Sequence, residues 1–76
     1  MDNLQLFNLE APMLVDEIST TEYYIGVSEN TKNTSQPNWR IKKISKSGTT
    51  WLFEFPNGDQ DFKYAWDLRL SYDFSA

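Results

Sequence analysis

The sequence predicts an all-β protein: a small antiparallel meander of four to five strands, flat as a sheet or closed as a small barrel, with an extended N-terminal arm. Three observations carry this. From Trp66 to Phe74, large apolar residues (Trp66, Leu68, Leu70, Tyr72, Phe74) alternate with Asp67, Arg69, Ser71 and Asp73, the period of two of a half-buried strand. Between Thr50 and Phe55 the same alternation puts Trp51, Phe53 and Phe55 on one face. Glycine-bearing turn sequences separate these runs, at Lys46-Ser47-Gly48 and at Pro56-Asn57-Gly58-Asp59.

The elements follow in order. Residues 1–20 read as an arm or a first strand: Leu4, Leu6, Phe7 and Leu9 are apolar, Pro12 interrupts, and Met13, Leu14, Val15 and Ile18 resume. Proline can neither donate to a ladder nor continue a helix, so it splits the segment. Residues 21–76 read as the β domain. Tyr23 to Val27 is a short strand whose Gly26 marks a bulge or a close backbone approach. Ser28 to Asn38 is a polar loop full of turn formers. Trp39 to Ser45 is the next strand, Thr50 to Phe55 follows, and the last runs from about Tyr64, its alternating stretch from Trp66 to Phe74 spanning roughly 27 Å at ~3.4 Å per residue. This reading gathers Trp39, Ile41, Trp51, Phe53, Phe55, Trp66, Leu68, Leu70 and Tyr72 on one apolar face, which either lines a barrel or packs against another molecule.

Size argues for the second outcome. The chain has 76 residues, with twelve aromatic side chains supplying most of its buriable surface. Domains below ~70–80 residues seldom draw more than ~3–5 kcal/mol from one core and usually add disulfides, metals or association. The sequence has no cysteine and no histidine, which excludes disulfides, thiolate zinc sites and the commonest general base. Association with further copies or with a larger assembly is therefore expected. Apolar runs do not exceed three residues, as at Met13-Leu14-Val15, against the ~18 of a membrane span. Met1-Asp2-Asn3-Leu4 lacks the basic region of a secretory signal, so synthesis in a cytoplasm is expected.

Charge is segregated. Net charge is −4, but residues 1–30 hold six acids and no base, residues 31–46 five bases and no acid, and residues 47–76 five acids against Lys63 and Arg69. An acidic chain repels nucleic acid, whereas the basic band of Arg40, Lys42, Lys43 and Lys46 between acidic ends suits pairing with a neighbouring copy. Those bases lie beside Trp39, but the alternation turns Arg40 and Lys42 away from it, unlike an interleaved base-stacking platform.

Catalysis finds little material. Asp59 with Asp61, or Asp61 with Asp67, could form an acid–base pair only inside a walled cleft that separates their pKa values. Asn57 to Asp61 invites a calcium reading, yet its order is wrong for the helix-loop-helix site and suits a hairpin turn. No catalytic residue, metal or cofactor is expected. Tyr23, Tyr24 and Tyr64 are candidate glycan contacts, since an exposed ring can stack on a hexose.

The order Tyr24-Ile25-Gly26, Trp39-Arg40-Ile41-Lys42-Lys43-Ile44, Asn57 to Phe62 and Trp66-Asp67-Leu68-Arg69-Leu70-Ser71-Tyr72 resembles a family of short proteins of tailed phages. In that family a Y-[IV]-G segment, a W-x-I-K-x-I strand, an Asp/Gly turn and a terminal W-D-x-R-x-S strand recur. The resemblance covers residues 23–74. Phe55-Pro56-Asn57-Gly58 stands where the family has W-x-D-G, and Leu68 and Leu70 stand where polar residues are common. What it implies is a non-enzymatic virion component made in the host cytoplasm, associating with itself and with other virion proteins. The alternative expectation is a glycan- or host-receptor-binding module at a tail tip or fibre.

Overall fold

Two tight turns set the register of the sheet. In the computed structural model, which describes residues 12–76, Thr20-Thr21 joins β1 (Met13–Ser19) to β2 (Glu22–Ser28), and Gly48-Thr49 joins β3 (Trp39–Ser47) to β4 (Thr50–Pro56). Gly48 supplies the positive φ of 63° there. A third turn at Asn57-Gly58, both at positive φ, ends β4 as the Asn-Gly sequence predicts. A short β5 (Phe74–Ser75) returns antiparallel against Phe55-Pro56. The order is β1-β2-β3-β4-β5, every neighbouring pair antiparallel.

The all-β meander is thus observed, and of the two closures it takes the open sheet. Of the expected N-terminal arm or first strand over residues 1–20, residues 1–11 lie outside the described residues. Met13–Ser19 of that segment is a strand in register with β2, from Met13↔Val27 to Glu17↔Tyr23. Register then shifts before Ser19↔Glu22, leaving Ile18 as a bulge residue.

The core lies on one face. Tyr24, Trp39, Ile41, Tyr64 and Trp66 form its buried cluster, with Leu14, Tyr72 and Phe74 packed against it. Trp39 is 1% exposed; its ring lies 6.3 Å from that of Trp66, and its indole N–H donates to the Asn33 carbonyl at 3.1 Å. Edge-on pairs of Tyr24 with Phe74 at 5.4 Å and Tyr64 with Tyr72 at 5.1 Å extend the cluster. The Tyr72 hydroxyl accepts from the Ala65 amide at 2.9 Å. The polar loop joins in through the Thr34 carbonyl, which accepts from the Asp67 amide at 3.0 Å. Ser28 is fully buried, and its Oγ accepts from Asn30 N (3.4 Å) and Thr31 N (3.3 Å), which starts that loop.

The C-terminal run corrects the sequence reading. Trp66–Ser71 is a 3-10 helix, not a strand; before it Tyr64 makes an isolated antiparallel bridge with Trp39, and after it Phe74–Ser75 joins the sheet. With three residues per turn, Trp66, Arg69 and Tyr72 share a side. That side faces the sheet: Trp66 is buried, Arg69 and Tyr72 half-buried, while Leu68 and Leu70 are 54% and 67% exposed. Arg69 fixes the geometry. Its Nε and Nη2 donate to Asp16 Oδ2 at 3.0 and 2.8 Å, its Nη1 donates to the Trp66 carbonyl at 3.0 Å, and its guanidinium sits 4.4 Å from the Trp66 ring centroid. Leu68 and Leu70 fall on the two other sides of the helix, turned from the sheet, and form its exposed apolar ridge.

Candidate functional site

A β-strand sends successive side chains to opposite faces, and cross-strand partners share a face. Trp39 and Ile41 take the core face, so Arg40, Lys42, Ile44 and Lys46 take the other. Their partners join them: Val27 opposite Arg40, Ile25 opposite Lys42, Tyr23 and Phe53 opposite Ile44, and Trp51 opposite Lys46. Met13 and Val15 extend the set across β1 through Val27 and Ile25. No described element covers this open face. Trp51 and Phe53 are 41% and 49% exposed on it, with Met13 and Val15 exposed alongside.

The face is both apolar and cationic. Lys42 Nζ sits 5.4 Å from the Phe53 ring centroid and 6.0 Å from that of Phe55, and Lys46 Nζ 5.3 Å from that of Trp51. At the rim the Arg40 guanidinium lies 5.0 Å from the Phe62 ring centroid. Each cation rests its alkyl stem along apolar surface and keeps its charge on a ring. Among the described residues no carboxylate forms a salt bridge with Arg40, Lys42 or Lys46. Tyr23 and Trp51 stand side by side, ring centroids 6.1 Å apart.

The structure divides the aromatic set that the sequence reading placed on one face. Trp39 and Trp66 are buried in the chain's own core, and Tyr72 is packed half-buried against it, so all three are engaged within the chain. Trp51, Phe53 and Phe55 lie on the opposite, open face, and Leu68 and Leu70 on the separate ridge of the 3-10 helix. The basic band divides too. Lys43 points to the core side and pairs with Glu22 at 3.4 Å, leaving Arg40, Lys42 and Lys46 together. Of the candidate glycan contacts, Tyr24 and Tyr64 are buried in the core and Tyr23 alone remains on the open face. Sequence reasoning missed Tyr23 as the neighbour of Trp51 and Ile44 as the cross-strand partner of Phe53, relations that strand register alone reveals.

One carboxylate of the third turn, that of Asp59, is an anchor. Asp59 accepts from Lys63 Nζ (2.9 Å), the Asp61 amide (2.9 Å) and the Tyr64 hydroxyl (2.9 Å). The Lys63 hydrogen bond first, and the Asp61 amide next, hold its pKa down to about 2. Desolvation, then the bond to Asp59, pushes the Tyr64 phenol up. A carboxylate so held keeps its charge and fastens the turn to the core. No cluster of three or more metal-ligating side chains occurs among the described residues, nor does a helix long and apolar enough to cross a membrane. In comparisons with known proteins, no family model, curated protein or solved structure matches the chain.

Proposed function

We propose that the protein is a non-catalytic structural or adaptor subunit of a phage particle, acting through self-association and contacts with other virion proteins. The observation that carries this is the sheet face that no described element covers, where Trp51, Phe53, Phe55, Ile44, Ile25 and Val15 form an apolar surface studded with Lys42 and Lys46. Contiguous apolar surface of this kind marks interaction sites, and its aromatic and cationic makeup is that of interface hot spots. The tailed-phage resemblance of residues 23–74 gives the setting, with the virion as location and other virion proteins as partners. Sedimentation of the purified protein over a range of concentrations tests the reading. Species heavier than the 8.9 kDa chain are expected, and a monomer throughout contradicts it.

A second reading draws on the paired rings of Tyr23 and Trp51, which could stack on a sugar in a receptor-binding module at a tail tip or fibre. Quenching of tryptophan fluorescence by glycans, abolished by Trp51→Ala, is its expected sign.

A further inference from the structure

Among the described residues the open face carries three cations, Arg40, Lys42 and Lys46, against Glu17. Two copies laid face to face by a two-fold axis would bring these bases together, a desolvated like-charge contact that disfavours pairing. The occupant should instead be apolar and acidic. The chain itself presents such a surface elsewhere. On the 3-10 helix and just after it, exposed Leu68 and Leu70 are flanked by exposed Asp67 and Asp73, and the one base among them, Arg69, is already engaged by Asp16. Among the described residues neither Asp67 nor Asp73 forms a salt bridge. The ridge lies on the core side of the sheet, opposite the open face, so one copy can offer both surfaces at once.

We propose that the occupant of the open face is a second copy of this chain, seated by its Leu68–Leu70 ridge, so that copies join head to tail. This rests on the association reading above. Leu68 and Leu70 enter the apolar area around Ile25, Ile44 and Phe53, while Asp67 and Asp73 meet Lys42 and Lys46. The contact is heterologous, with a different patch on each partner, and such contacts close into rings or run on as filaments.

Two singly disabled variants test this by sedimentation velocity, with circular dichroism checking that each is folded. Lys42→Glu/Lys46→Glu disables the face and Leu68→Asp/Leu70→Asp disables the ridge; all four positions lie outside the buried core. Each alone should be monomeric, its self-association weakened at least ~30-fold. Mixed in equal amounts they should form a 1:1 dimer and nothing larger, because one intact face meets one intact ridge. If either variant is unfolded, Asp67→Lys/Asp73→Lys takes the place of the ridge variant and Lys42→Glu alone that of the face variant. Reversed charge on both sides should restore full assembly in the mixture of Asp67→Lys/Asp73→Lys with Lys42→Glu/Lys46→Glu. A ridge variant that assembles like the wild type overturns the head-to-tail contact and leaves the association reading standing. A wild type monomeric at every concentration overturns both and leaves the face to residues 1–11 or to a different protein.

Discussion

Trp66 lies directly over Gly26: a Cβ built on that glycine would collide with Cε3 and Cζ3 of the indole and crowd Trp39 at 3.3 Å. The middle of β2 is thus a bare patch of backbone on which the buried indole of the 3-10 helix rests. This contact brings the C-terminal segment onto one face of the sheet, and no described residue covers the other face.

Gly26→Ala should therefore destabilise the fold by about 1–3 kcal/mol, the cost of overpacking a close contact. Urea unfolding followed by tryptophan fluorescence measures it. Trp66→Phe in the same chain should recover part of the loss by making room. Full stability in the single variant would mean that the indole does not rest on β2.

Arg69→Lys is not a conservative change at this site. The lysine keeps the charge beside Asp16 but loses the fork that reaches both Asp16 and the Trp66 carbonyl. A loss of about 1–2 kcal/mol is expected, approaching that of Arg69→Met. The midpoint of chemical denaturation reads it directly, and a lysine variant matching the wild type would reduce the pair to a simple charge contact.

Acid should loosen the third turn through Asp59. Its folded pKa, about 2, lies below its ordinary value of 3.8, so the ionised form is the one the fold favours. The stabilisation is present in full above about pH 4 and disappears as pH falls through about 2. Against Asp59→Asn, the wild type should hold a constant advantage above pH 4 that shrinks to nothing near pH 2. Thermal unfolding of both proteins across that range gives the profile, and parallel curves would contradict the anchor.

Two tryptophans should answer differently to truncation. Trp39→Ala removes a side chain 1% exposed and should cost about 3–5 kcal/mol. Trp51→Ala removes one 41% exposed and should change the stability of the isolated chain by less than about 1 kcal/mol while weakening self-association. Unfolding at high dilution together with sedimentation separates the two effects.

The strands from Tyr23 to Phe55 were legible because alternation and turn residues agree there. The faces were not, and one turn explains why. A turn at Lys46-Ser47-Gly48 would pair Ser45 with Thr49 and put Trp39 on the side of Trp51. The observed two-residue turn pairs Ser47 with Thr50, and this odd-with-even match sends Trp51 and Phe53 to the opposite side. A one-residue slip reverses every facing. The C-terminal run misled for another reason. Its period of two is real, but the period of three through Trp66, Arg69 and Tyr72 is what the sheet, Asp16 and Gly26 select. Only the tertiary partners distinguish those patterns, since both are written in the same nine residues.

The bulge at Ile18 bears on solubility. A foreign strand zipping onto the outer edge of β1 would find an unbroken hydrogen-bonding rail only over Met13–Glu17, since the misfit next to Ser19 throws later carbonyls and amides out of step. Fibril-like growth along that margin is thereby limited to a rail five residues long.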